Sequence, residues 1–340
     1  MELIIKEGQI QSAIEHFPDV HFWSEQWLSD KSIFDFNTSG TTGEPKKLTF
    51  SREQLIASAQ RTCEFFQLSP GSVVLHRLPM SFVAGKMNII RALLMKHSVW
   101  AEKPSMHFDK NWNSEKMVWD WWTTTPAMMM SYLEAGLDPN CFKKILLGGG
   151  KVQPHWQLLL RNYRGVCYES YGATETLTHI AVREVFPQSS LFKPLTGVTI
   201  FLDENGLKIS DEITGLNVSL NDAVAFKDDQ TFDVLGRLDD VINSGGVKIH
   251  PLAVESLLLS HTNLPFYITQ TQDDKWGSVV TIVVRESDLP QWNEMNWHAI
   301  FLHHAIWRPK KIIAVKSIDR NENGKIVKKN NPIGVVNRLQ

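Results

Sequence analysis

The chain has 340 residues, 43% of them hydrophobic and 21% charged, with a formal net charge of -2. That length suits two unequal domains, and the near-neutral balance leaves no electrostatic footprint for nucleic acid. No run approaches the roughly 18–20 apolar residues that span a bilayer, and Glu2 and Glu7 argue against a secretory leader; the expectation is a cytoplasmic protein without membrane insertion, with an oligomer compatible.

In chain order, residues 34–36 and 47–50 read as short strands on either side of a loop rich in glycine and threonine. Ser51 with Gln54 makes a capping box. It opens a helix through Leu55, Ala59, Cys63 and Phe66 that Pro70-Gly71 stops. A strand over 73–78 is closed by Pro79, and a helix over about 86–97 leads to a strand at Val99-Trp100. Trp119, Trp121 and Trp122 read as packing residues. Cys63, Cys141 and Cys167 form no close pair, so a disulfide framework or zinc knuckle is not expected.

Residues 145–147 end at Gly148-Gly149-Gly150, and 165–168 lead to Tyr171-Gly172. Short apolar strands ending in glycine turns, with helices between them, predict a largely parallel sheet with ligands at its strand ends. From about residue 190, short strands at 198–202, 207–209 and 217–220 predict a small β-rich subdomain. After Gly236 comes a helix over 251–260, a strand over 279–284, a helix over 297–306 and a strand over 312–315, which predict a small α+β domain. The expected class is therefore α/β: a core over 1–237 with a β-rich subdomain, then a C-terminal domain over 238–340. His298, His303 and His304 read as a helix surface, since no nearby acid or cysteine completes a metal site.

Thr38-Ser39-Gly40-Thr41-Thr42-Gly43-Glu44-Pro45-Lys46 is suited to holding phosphate. Glycine, serine and threonine let backbone N–H groups converge on an anion, hydroxyls add donors, and Lys46 adds charge. A plain surface turn is the competing reading of Gly40–Gly43 alone. Three further strings follow: Tyr171-Gly172-Ala173-Thr174-Glu175; Leu235-Gly236-Arg237-Leu238-Asp239-Asp240 running on to Asn243-Ser244-Gly245-Gly246-Val247-Lys248; and Asn323-Gly324-Lys325. In this order the four strings resemble the signatures of the adenylate-forming superfamily, which contains acyl-CoA synthetases, peptide-synthetase adenylation domains and luciferases.

The resemblance implies an enzyme that uses ATP and Mg²⁺ to activate a carboxylic acid as an acyl-adenylate, then transfers the acyl group to coenzyme A. It assigns Thr174 to the α-phosphate, Glu175 to Mg²⁺, Tyr171 to the adenine face and the turn at 148–150 to the adenine and acyl pockets. Asp222 is the ribose candidate, although Asn221-Asp222 stands where the family has Thr-Gly-Asp. Arg237 is a second ribose or phosphate ligand, with a structural salt bridge as its alternative. Lys325 bridges carboxylate and phosphate during adenylation, Asp239 occupies the hinge of a mobile C-terminal lid, and Gly245, Gly246 and Lys248 line the path of CoA.

Leu78-Pro79 followed by Phe82 and Gly85 resembles the family's segment beside the acyl pocket, with Phe82 in place of its histidine. Arg91, six residues after Gly85, resembles the arginine of o-succinylbenzoate–CoA ligases, which implies a cation for the second carboxylate of an aromatic keto-diacid. Arg91 facing solvent is the alternative. Lys86 is a possible helper, although about 140° of helix separates it from Arg91. Only 37 residues precede Thr38, whereas family members usually carry a substantial subdomain there. An enzyme that loads a carrier protein, and a non-catalytic nucleotide-binding homologue, are the competing functions.

Overall fold

The structure, a computed structural model, describes residues 1–38, 46–109, 117–152, 159–186, 191–204, 206–321, 326–329 and 332–338, apart from the side chain of Arg338. Strands β1 (Glu2–Lys6) and β2 (Gln9–Ile10) form a hairpin, and α1 (Pro18–Leu28) buries Val20, Trp23 and Trp27. Next, β3 (Ile33–Asn37) and β4 (Lys47–Ser51) pair antiparallel from Ile33↔Ser51 to Asn37↔Lys47. Their alternation buries Phe34, Phe36 and Phe50 on one face, with Trp23 edge-on to Phe34 and Phe36. Helix α2 (Arg52–Phe65) starts on a capping box: Ser51 Oγ accepts from the Gln54 N–H, and the Gln54 side chain accepts from the Ser51 N–H.

The main sheet is completed by β5 (Val73–His76), β6 (Ser98–Ala101), β7 (Trp121–Thr124), β8 (Lys144–Leu147), β9 (Val166–Gly172), β10 (His179–Glu184) and β11 (Lys193–Pro194). Its strand order is β11-β10-β9-β8-β7-β5-β6-β1-β2. The five strands β6, β5, β7, β8 and β9 run parallel, and antiparallel strands flank them on both sides. Helix α3 (Val83–Leu94) joins α1 and α2 on one face, while α4 (Pro126–Glu134) covers the other. Alternation along β7 sends Trp121 into the first layer and Trp122 into the second; Trp119, which precedes the strand, also packs in the second.

Two boundaries differ from the sequence reading. The strand expected over 73–78 stops at His76, opposite the last residue of β6, Ala101. The helix expected from 86 begins at Val83 and ends at Leu94, two residues before Lys96 adopts a left-handed φ of 57°. Cys63 and Cys167 are buried, Cys141 is half-buried, and all three are free thiols.

Strands β12 (Val198–Asp203), β13 (Gly206–Asp211) and β14 (Leu216–Leu220) form a meander, followed by the ribbon β15 (Asp222–Asp228) and β16 (Thr231–Arg237). The meander is fastened to α2 by a buried ion pair, Arg61 Nη1 to Asp211 Oδ1 at 2.8 Å. Residues from 242 onwards build a sheet of their own from β17 (Ile242–Ser244), β18 (Val247–Ile249), β19 (Phe266–Asp273), β20 (Gly277–Arg285), β21 (Lys311–Val315) and β22 (Val335–Arg338). It encloses a separate apolar cluster with α5 (Pro251–Leu259), α6 (Leu289–Asn293) and α7 (Trp297–Ile300). The helix expected over 297–306 is α7 alone, followed by a turn and a 3-10 segment at Ala305–Trp307. Among the described residues no helix is long and apolar enough to cross a membrane.

Three histidines are buried in the core. Burial lowers the pKa of His76 and His97 to about 4 and of His179 to about 3, and the nearby Arg91 cation acts in the same direction on His97 and His179. Between their ordinary value of 6.5 and these values, the unfolded chain binds protons that the folded one excludes. Stability therefore falls as pH drops from about 6.5 towards 4. The urea midpoint is expected to be clearly lower at pH 5 than at pH 7; equal midpoints would show that the histidines are not held neutral.

Candidate active site

The parallel strands β5, β7, β8 and β9 end along one edge of the sheet. At the end of β8 the Gly148 N–H donates to the Thr124 carbonyl at 3.0 Å. Behind it, Ser170 Oγ donates to the Leu147 carbonyl at 3.0 Å. Gly149 follows with a φ of 78° and is exposed, as is Gly150, so this turn is bare backbone facing outward.

The end of β9 is the second element of the edge. Gly172 is required by close packing, since a Cβ there would lie 2.3 Å from the Thr178 carbonyl oxygen. The following turn is held internally. Thr176 Oγ1 accepts from the Ala173 N–H at 2.9 Å and donates to the Thr178 carbonyl at 2.7 Å, and the Leu177 N–H donates to the Thr174 carbonyl at 2.9 Å. Thr174 and Glu175 sit half-buried on its outer side.

The neighbouring ribbon completes a polar cluster. Asp222 and Arg237 stand directly opposite each other in the β15–β16 register. The Tyr171 hydroxyl donates to Asp222 Oδ2 at 2.8 Å, and Arg237 Nη1 lies 3.9 Å from Asp222 Oδ1. Burial, reinforced by the Asp222 carboxylate, pushes the Tyr171 phenol well above its usual range, so it remains a donor. Arg237 is about half exposed and also reaches Asp239 Oδ2 at 3.4 Å. Tyr171, Asp222 and Arg237, proposed from separate motifs, are thus brought together, with Tyr171 buried against Phe192 and Phe232 and Arg237 open to solvent.

The base of the glycine-threonine loop is closed twice. The Thr38 N–H donates to the Lys46 carbonyl, and the Lys46 N–H donates to Thr38 Oγ1, both at 2.9 Å. Ser39, Gly40, Thr41, Thr42 and Gly43 lie outside the described residues.

In the segment expected to border an acyl pocket, Phe82 is the N-cap residue of α3 and half-buried. Gly85 lets the first turn of α3 press on Pro79, whose carbonyl oxygen would lie 2.3 Å from a Cβ. Lys86 turns away from Arg91. Its ammonium sits over the rings of Trp23 and Phe36, at 4.6 and 5.0 Å, and lies 3.4 Å from the Asp35 carbonyl oxygen. Arg91 does not face solvent: it is 3% exposed, with Nε and Nη1 buried and lacking a hydrogen-bond partner, within electrostatic reach of Cys63, His97 and His179. Burial lowers its pKa to about 10, so it is still a cation at neutral pH.

On the C-terminal side, Asp239 lies in an exposed 3-10 turn, Leu238–Asp240. Gly245 and Gly246, with φ values of 60° and 84°, form the two-residue turn of the β17–β18 hairpin, a turn that requires positive φ at both positions. Lys248 follows, exposed. Lys325 lies outside the described residues.

One charged group escaped the sequence reading. Glu169, buried in β9, pairs with Arg183 of β10 at 2.8 Å, and Arg183 reaches Asp233 of β16 at 3.2 Å. Lys151 follows the glycine turn; burial lowers its pKa, while Asp233, Glu169 and Glu255 of α5 oppose that shift. Glu169 and Arg183 are cross-strand partners, a relation that needs the register and cannot be read from spacing.

Residues 21–222 match the sequence profile of the AMP-binding enzyme family. The chain belongs to that family. AMP-binding relatives include a 2-succinylbenzoate–CoA ligase of Staphylococcus epidermidis, 27% identical over 325 residues that cover 86% of this chain and 68% of that one. The ligase of the same name from Bacillus licheniformis is 29% identical over 278 residues, covering 71% and 57%. Among solved structures, o-succinylbenzoate CoA synthetase from Bacillus subtilis, bound to an acyl-adenylate intermediate, superposes with a TM-score of 0.73 at 21% identity, covering 88% of this chain and 69% of that one. An AMP-forming acyl-CoA synthetase-like protein from Dyadobacter fermentans gives 0.59 at 28% identity and covers 91% of both chains. The fold is that of the adenylate-forming enzymes.

Proposed function

We propose that this AMP-binding enzyme is an acid–thiol ligase: o-succinylbenzoate and ATP give an acyl-adenylate with loss of pyrophosphate, and coenzyme A then takes the acyl group and releases AMP. Arg91 carries the choice of acid. A buried guanidinium with two unpartnered nitrogens and, among the described residues, no carboxylate paired with it is costly unless an anion is supplied. The second carboxylate of an aromatic keto-diacid supplies one, and the names of the Staphylococcus and Bacillus relatives point to the same acid.

The residues divide the work. Thr38, Lys46 and the loop between them hold the phosphates, and Thr174 meets the α-phosphate. Tyr171 supports the adenine, while Asp222 and Arg237 take the ribose. Among the described residues no group of three His, Cys, Asp or Glu side chains gathers to cage an ion. That fits Mg²⁺, which uses few protein carboxylates beside phosphate and water, with Glu175 as its protein ligand. When bound, the ion neutralises phosphate charge. Lys325 stabilises the charge that develops as carboxylate attacks phosphorus.

Incubation with ATP, Mg²⁺, CoA and o-succinylbenzoate is expected to yield the thioester, detected by mass. Arg91→Ala is expected to raise the KM for this acid roughly ten- to hundredfold, the scale of a lost charge-assisted hydrogen bond. The absence of thioester with the unaltered enzyme sinks the assignment of the acid, and an unmoved KM removes the anchoring role.

A further inference from the structure

His76 and Asn88 form a buried polar pair that the reaction described so far does not use. His76 ends β5 and is 2% exposed; Asn88 projects from α3 and is 1% exposed, with its Nδ2 3.2 Å from His76 Nδ1. Each side chain keeps one buried polar atom without a hydrogen-bond partner, His76 Nε2 and Asn88 Oδ1. Buried polar atoms are nearly always paired, and such an exception asks for a group from outside.

The chemistry of the pair defines that group. The imidazole is neutral in its buried setting, so one ring nitrogen donates and the other accepts. With the Asn88 amide donating to Nδ1, the proton sits on Nε2, and a neutral donor is left without an acceptor. A carbonyl oxygen, an acceptor with no proton of its own, matches that donor.

Position narrows it further. His76 lies at the same edge of the sheet as the Gly148 turn. Two strand spacings, roughly 10 Å, separate β5 from β8. Asn88 is one helical turn before Arg91 on α3, at a separation of three residues that places both on one side of the helix. From the phosphate-binding edge, the neutral pair comes first and the cation second.

We infer that His76 binds the ketone oxygen of an aromatic keto-diacid through Nε2–H, and that Asn88 is the positioning residue that fixes this tautomer. The ketone then lies between the reacting carboxylate and the carboxylate held by Arg91. This rests on the reading of the substrate given above.

The test compares o-succinylbenzoate with its analogue in which the ketone is a methylene, measuring kcat/KM for each acid with His76→Leu, His76→Gln and Asn88→Leu. The ratio of the two values does not depend on the fraction of protein that is folded. His76→Leu is expected to lower the preference for the keto acid roughly tenfold, the scale of one neutral hydrogen bond to a substrate. Asn88→Leu is expected to lower it in the same direction, and His76→Gln, which keeps an N–H, to retain much of it. If His76→Leu or Asn88→Leu lowers both values equally and leaves the ratio unmoved, the pair serves packing alone and the assignment is overturned. If the unaltered enzyme makes no thioester from the keto acid, the substrate reading fails and takes this one with it.

Discussion

Replacing Lys325 with alanine is expected to slow acyl-adenylate formation by roughly two to three orders of magnitude, the usual loss when a preorganised electrostatic partner of the transition state is removed. The described residues on either side of position 325 are held in place. Arg320 and Ile326 form an antiparallel bridge, the Val327 N–H donates to the Asp319 carbonyl at 2.9 Å, and Lys328 and Lys329 pair with Glu255 and Asp319, both at 2.8 Å. The substitution removes a cation, and none of these contacts is made by residue 325. The two half-reactions separate the effect: pyrophosphate exchange is expected to collapse, while CoA and preformed acyl-adenylate still give thioester at close to the normal rate. Equal loss in both halves would place Lys325 in general folding or binding instead.

Asp211→Ala is expected to cost roughly 3–5 kcal/mol of stability, the usual penalty for leaving one member of a buried ion pair alone. Arg61 and Asp211 are almost completely enclosed. Asp211 Oδ1 also accepts from the Ile213 and Thr214 N–H groups, at 3.1 and 3.2 Å, so the substitution strands a guanidinium and opens a turn together. For a protein of this size the thermal midpoint should fall by roughly 4–7 °C. Arg61 Nε and Nη2 are already unpartnered, so the pair itself adds little over an apolar contact. Arg61→Met with Asp211→Leu is therefore expected to recover the part of the loss that comes from the stranded guanidinium, but not the part that comes from the freed Ile213 and Thr214 N–H groups. A single-variant cost below about 1 kcal/mol would show that water reaches Arg61.

What could be read from the sequence was local. The capping box at Ser51 and Gln54, the glycine-ended strands and the order of the four motifs need only neighbouring residues. Strand register needs the whole sheet, so the meeting of Tyr171 with Asp222 and the Glu169–Arg183 pair stayed hidden. Lys86 reads from the sequence as a possible helper that does not share a helix face with Arg91, and its ammonium lies over the rings of Trp23 and Phe36. Arg91 reads from the sequence as facing either solvent or substrate, and its burial removes the first choice. The helix expected over 297–306 misled because its apolar positions serve a turn around Phe301 as well as they serve a helix.

Asp222 and Arg237 face each other across a two-stranded ribbon, and every residue of it, like Tyr171, precedes position 238. Under the proposed roles, the grip on the nucleoside belongs wholly to the stationary part of the enzyme. Swapping one set of C-terminal groups for another between the two half-reactions would then leave the adenylate undisturbed, and AMP would depart only when the ribbon itself lets go. Product release and lid exchange become separate clocks, and a substitution at Asp222 should change the first without resetting the second.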